Sequence, residues 1–103
     1  MHDSLPEPIL EITDGASYEW CTLMLFHHPT QPGYAIVSNS GCSCSYFECP
    51  TKEQLAAQPP LTRPQARERV KAFCTEFHYY ITAGSAIRYL ERFEDAVREV
   101  ETA

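Results

Sequence analysis

The segment Tyr18–Phe26 (Tyr-Glu-Trp-Cys-Thr-Leu-Met-Leu-Phe) constrains the fold of this chain most tightly. Its aromatic and aliphatic content marks it as a β-strand. Alternate side chains of a strand point to opposite faces. Tyr18, Trp20, Thr22, Met24 and Phe26 therefore share one face, and Glu19, Cys21, Leu23 and Leu25 share the other. Both faces are largely apolar. Such a strand belongs in the middle of a sheet, with another layer covering at least one side. Asp14-Gly15 is a turn signal ahead of it. After it, His27-His28-Pro29-Thr30-Gln31-Pro32-Gly33 is a polar connection, and Tyr34–Ser38 is a second strand. The two strands form an antiparallel hairpin with a longer loop. Ser38-Asn39-Ser40-Gly41 turns the chain again, and Cys44–Glu48 is a candidate short third strand. Residues 1–14 carry Pro6 and Pro8 without sustained periodicity and are expected as an extended arm, ordered where Ile9, Leu10 and Ile12 meet a surface.

The covering layer comes from the second half. Thr51-Lys52-Glu53-Gln54 has capping-box form and starts a short helix over Lys52–Gln58, stopped by Pro59-Pro60. Thr62 is the next cap, with Pro64 in the first turn, where a missing N–H costs little. The helix that follows puts Ala66, Val70, Phe73, Phe77 and Tyr80 on one stripe. Thr82-Ala83-Gly84 breaks it, and Ser85 is expected to cap a last helix. There Ala86, Leu90, Phe93, Val97 and Val100 recur at spacings of four, three, four and three, a helix-packing seam. Two long helices with a short link form an antiparallel hairpin. The expected fold class is α+β: a two- or three-stranded antiparallel sheet packed on a C-terminal helical hairpin. At 103 residues the chain suits one domain, divided into the arm (1–14), the acidic hairpin with its cysteine loop (18–49) and the helical part (51–102).

Charge divides along the same line. Residues 1–51 hold Asp3, Glu7, Glu11, Asp14, Glu19 and Glu48 and no Lys or Arg, so the whole net charge of −6 lies there. The remainder carries eight acids and eight bases. A half without cations cannot track a nucleic-acid backbone, which excludes direct nucleic-acid binding. The apolar run Leu23–Phe26 cannot span a bilayer, and no basic segment precedes an apolar stretch, so neither a membrane anchor nor a signal peptide is expected.

Four of the five cysteines also fall in the first half. Cys42 and Cys44 flank Ser43 in the loop after the second strand, while Cys74 and His78 lie four apart on one helix face. Together they supply the four sulfur and nitrogen donors of a structural zinc site, with Cys49 as a substitute ligand and His27 or His28 within reach if the loops fold to one end. Three other arrangements use the same residues. In the first, Cys74 is a small core residue beside Phe73, as Cys21 is expected to be, and His78 caps or stacks at the helix end. Cys42 and Cys44 can pair as a reducible disulfide, making a redox loop. Either can act as a nucleophile with His27, His28 or His78 as base, although no spacing selects a trio and no catalytic signature is complete.

The string Ser38-Asn39-Ser40-Gly41-Cys42-Ser43-Cys44, preceded by a strand bearing Tyr and Trp, resembles a group of small proteins from phages of actinobacteria such as mycobacteria. The resemblance spans about residues 18–49 and is sharpest from Ser40 to Cys44. Members commonly continue with Pro, where this chain has Ser45-Tyr46-Phe47. The resemblance carries no catalytic residue across. It implies a phage-encoded accessory protein in the bacterial host cytoplasm that binds a host or phage protein. The expected function is accordingly a non-enzymatic interaction module, with or without the zinc staple, engaging its partner through the acidic half or by homodimerisation of a helix seam. The alternatives are a Cys-dependent redox or thiol enzyme centred on Cys42-Ser43-Cys44, and an acidic inhibitor of a nucleic-acid enzyme.

Overall fold

A computed structural model of the chain describes residues 6–16, 18–44 and 47–102. Among the described residues three strands and three helices follow in order: β1 Leu10–Ala16, β2 Glu19–His27, β3 Tyr34–Cys42, α1 Lys52–Ala56, α2 Arg63–Glu76 and α3 Ala83–Thr102. The sheet is an antiparallel meander of order β1-β2-β3. The α+β class is as expected, and β2 takes the central position that its two apolar faces require.

The strand boundaries correct the sequence reading in two places. The third strand is β1, drawn from the arm, where Leu10 faces Leu25 and Ile12 faces Leu23. Of the candidate strand Cys44–Glu48, residues 45 and 46 lie outside the described residues; Cys44 is in a turn, and Phe47 and Glu48 belong to no strand. The ladder also runs through Ser38-Asn39-Ser40-Gly41 to Cys42, so that Asn39 faces Thr22, Gly41 faces Trp20 and Cys42 faces Glu19. The signal for a turn yields there to the long partner strand that β2 provides.

One face of the sheet carries Leu10, Ile12, Cys21, Leu23, Leu25 and Ile36 against Ala66, Val70, Phe73 and Cys74 of α2 and Phe93 and Val97 of α3. Helix α2 lies under β3, and α3 lies under β1. On the opposite face Met24, Phe26 and Ala35 meet Leu55 of α1, with Val37 and Phe47 at the margin. Removing one large side chain such as Phe93 from water stabilises the fold by about 1.5–3 kcal/mol. The seam of α3 is thus consumed in the chain's own core, where Phe93 and Val97 have no exposed surface.

The helix starts follow from local chemistry. Thr51 and Thr62 each close a full capping box with Gln54 and Gln65. Helix α2 ends at Glu76, short of Tyr80, which lies in the turn after it. At α3 the cap is Thr82, whose Oγ1 accepts the Ser85 N–H at 3.1 Å, so Ser85 sits inside the first turn. Arg63, at the start of α2, pairs with Glu94 (2.6 Å) and Glu101 (3.2 Å) late in α3, which fixes the hairpin as antiparallel. Solvent screens these exposed pairs, so they set the orientation of the helices more than they stabilise the fold. Tyr34 Oη donates to Glu101 Oε1 at 2.8 Å, tying the start of β3 to the end of α3. Burial, reinforced by that bond to Glu101, pushes the Tyr34 phenol up to about 12.

Candidate functional site

The described residue pair with most chemistry of its own stands where β3 runs out. The sulfurs of Cys42 and Cys44 are joined to each other, and both residues are exposed. Two hydrogen bonds fasten the backbone on either side of Cys42. Trp20 Nε1 donates to the Cys42 carbonyl at 3.0 Å, and the Ser43 N–H donates to the Tyr18 carbonyl at 2.8 Å. The Trp20 ring in turn meets Phe47 edge-on, with centroids 6.2 Å apart. Glu19 is the register partner of Cys42. Directly opposed side chains of an antiparallel pair share a face with Cβ atoms about 5 Å apart, so the exposed Glu19 side chain leaves the sheet on the same face as Cys42. Neither Glu19 nor Trp20 stood out in the sequence as belonging to this loop. Continuing the hairpin register past Ser38 would have found both.

The other candidate ligands lie elsewhere. Cys74 is buried in the main core, its thiol pushed up by burial and then by Asp14. Cys21 is a core residue as expected; its Sγ donates to the Asp14 carbonyl at 3.5 Å, and burial, with Asp14 next, raises it to about 11. His78 is exposed at the end of α2. Its Nδ1 donates to the Thr75 carbonyl at 3.0 Å, and its ring lies 4.1 Å from that of Tyr79, the capping and stacking role foreseen as one alternative. Cys74 of α2 and His78 in the turn after it line one open groove of about 430 Å³ with Lys71, Ile81, Ala86 and Leu90. Cys49 lines a different groove, with Val37, Asn39 and Phe47.

The structure therefore brings Cys42 to Cys44, and Cys74 near His78, but does not gather the four. Among the described residues no group of three or more His, Cys, Asp or Glu side chains is arranged to hold a metal ion. Distance also separates the histidine loop from the cysteines. His27 faces Tyr34, eight residues along β3 from Cys42, which is roughly 26 Å of strand. His27 stacks on Tyr34 with centroids 5.8 Å apart. His28 is buried with both ring nitrogens engaged: Nε2 donates to the Gln58 carbonyl at 2.8 Å, and Nδ1 accepts from the Thr30 and Gln31 N–H groups. It pins the β2–β3 loop to the end of α1. Neither residue can serve as base to Cys42 or Cys44 from that distance.

Charge is unevenly neutralised. The ion pairs among the described residues all join helical side chains: Arg63 and Arg67 with Glu94, Arg63 with Glu101, Lys71 with Glu68, and Arg98 with Asp95. In the sheet half the Asp14 carboxylate accepts from Gly15 N–H and from Tyr89 Oη, at 2.7 Å each. Glu11, Glu19 and Glu48 are exposed and enter no ion pair among the described residues. Arg92 comes near β1 only to donate to the Glu11 backbone carbonyl.

Fold and site together define a small α+β protein: an open three-stranded meander on a helical hairpin, with a cysteine pair at the rim of the sheet. No family model matches the chain, and no curated protein or solved structure is significantly similar to it.

Proposed function

We propose that this chain is an accessory protein that presents its acidic sheet half to a Lys- and Arg-rich surface of a protein partner. The observation that carries the proposal is the segregation of charge. The helices neutralise one another, while Glu11, Glu19 and Glu48 stand exposed on a half without a Lys or Arg. Exposed carboxylates concentrated in one half of a small protein steer a cationic surface towards it and suppress approach by anionic ones, nucleic acid included. The resemblance of the Ser40–Cys44 string to actinobacteriophage proteins makes a bacterial host protein the first partner to seek.

Affinity capture from mycobacterial lysate tests this, with the native chain compared against a Glu11→Gln, Glu19→Gln, Glu48→Gln variant. Each substitution is on an exposed position and removes charge without changing shape. The expected result is a basic protein retained at about 0.05 M salt, released at about 0.5 M, and bound at least tenfold more weakly by the variant when the purified pair is titrated. A partner held equally by both chains, or retained at high salt, overturns the proposal, as does capture of nothing at low salt.

A further inference from the structure

The Cys42–Cys44 pair is independent of that reading. We propose that it is a thiol–disulfide exchange site whose thiol substrates are neutral or cationic, with Glu19 opposing anionic ones.

Three observations converge. The sulfurs are bonded to each other across a single intervening residue and lie at the exposed end of an edge strand, where a small thiol can reach them. Exposed disulfides are the labile ones, because exchange needs a thiolate to approach along the S–S axis. Cys42 is held on the sheet by the Trp20 indole at its carbonyl and by Tyr18 at the next amide, so the pair keeps a fixed mount as the bond opens and closes. Finally, Glu19 faces Cys42 across the ladder, and no Lys or Arg lies within seven residues of either cysteine in sequence. The groove that reaches Cys42 is lined by Glu19, Trp20, Ser40, Gly41, Phe77 and Tyr80, without a cation.

Exchange proceeds in two displacements. A thiolate attacks Cys44 Sγ, which lies in the turn beyond the ladder; a new S–S bond forms to Cys44, the Cys42–Cys44 bond breaks, and Cys42 leaves as a thiolate. A second thiol, as its thiolate, then attacks the substrate sulfur of that mixed disulfide. This releases the oxidised substrate disulfide and the Cys44 thiolate, and the two cysteine thiolates take up the two protons that the thiols gave up. Two electrons pass from two thiols to the protein, and the reverse sequence reoxidises it. Negative charge spreads over three sulfurs during each displacement, close to Glu19. A further charge on the substrate about 7 Å from that carboxylate changes the rate about threefold in a water-like medium at low salt. Cationic and anionic thiols, which differ by two charges, should therefore separate three- to tenfold.

The test uses the full chain carrying Cys49→Ser, which removes the exposed free thiol. Alkylation without reductant should leave Cys42 and Cys44 unmodified, and prior reduction should label both, as read by mass spectrometry. Reduction is then timed with cysteamine and with 3-mercaptopropionate, corrected to equal thiolate. The single Trp20, adjacent to the pair, reports loss of disulfide quenching. A blocked peptide of residues 40–44 provides the reference. The expected cysteamine preference over that peptide is three- to tenfold at about 0.01 M salt, collapsing towards unity at about 0.5 M salt and in Glu19→Gln. Alkylation of both Cys42 and Cys44 in the air-exposed chain overturns the proposal. So does a cysteamine preference no greater than the peptide's, or one that survives Glu19→Gln. The acidic-surface proposal fails on different data, since it is read by partner binding and not by thiol kinetics.

Discussion

Replacing Gly33 by alanine adds one methyl group at a place where the backbone leaves none. Gly33 has φ of +120°, a region in which L side chains are strained by about 1–3 kcal/mol. Its new Cβ would stand 2.7 Å from the Leu61 carbonyl oxygen and 3.2 Å from Pro60 Cβ. That oxygen accepts the Tyr34 N–H at 2.9 Å, and Leu61 N–H returns a bond to Tyr34 at 2.8 Å. Moving Leu61 aside weakens that bridge, at about 1 kcal/mol for each bond lost. The expected destabilisation is about 2–4 kcal/mol, or a Tm lower by about 10–25 °C for a domain of this size. Gly84→Ala is the matched control. Gly84 lies in the first turn of α3 and a Cβ there meets nothing within 4 Å. Alanine should stabilise that helix by about 0.5–1 kcal/mol, because it has less backbone freedom to lose. Urea unfolding followed by far-ultraviolet circular dichroism and by Trp20 emission measures both. A Gly33→Ala chain within about 0.5 kcal/mol of native would refute the packing of the β2–β3 loop on the Pro60–Leu61 segment. A Gly84→Ala chain as damaged as Gly33→Ala would refute the helix start.

Two further outcomes are expected. Tyr34 and Tyr89 hold their protons up to about 12, and Cys21 to about 11, chiefly through burial. Native-state pKa values above the unfolded ones give stability that is complete below pH about 9 and lost as pH rises towards 12, at about 1 kcal/mol per tyrosine by pH 11; the drop in urea midpoint between pH 8 and 11 should be smaller in Tyr34→Phe. Phe93→Ala empties a site with no exposed surface and should cost about 3–5 kcal/mol in the same urea assay, whereas Ile87→Ala, on a residue 58% exposed, should stay within about 0.5 kcal/mol.

The elements that were legible in the sequence are those whose own residues enforce them. β2 could only be central because both its faces are apolar. Thr51 and Thr62 carry their capping glutamines three residues on, and the α3 seam repeats without interruption. What escaped is structure made by a partner. β1 has one clear alternation, Leu10-Glu11-Ile12, followed by a turn signal at Asp14-Gly15; its strand exists because the exposed edge of β2 pairs with it. Ser38–Gly41 is polar because it lies at the sheet's rim, and the ladder with Cys21, Trp20 and Glu19 outweighs its preference for turning. The start of α3 was misplaced because Gly84 reads as a breaker, yet Thr82 caps a helix that contains it. At the cysteines, the Cys-x-Cys spacing allowed both metal ligation, the expected arrangement, and pairing. Only the tertiary fold places Cys74 beneath the sheet and the cysteine loop at its rim.

The meander order bears on how the chain acquires its shape in time. Every strand pairs with its immediate neighbour in sequence, and α2 with α3 likewise, so no crossover has to be threaded before contacts form. Short loop closures favour rapid assembly, with each hairpin able to form as soon as its second arm is synthesised. The largest loop-closure cost comes with the arrival of the helical pair on the sheet. The bond between Tyr34 and Glu101, separated by 67 residues, can close only then. A sheet formed before that arrival would leave the face of Leu10, Ile12, Leu23 and Ile36 open to water and so exposed to aggregation during synthesis.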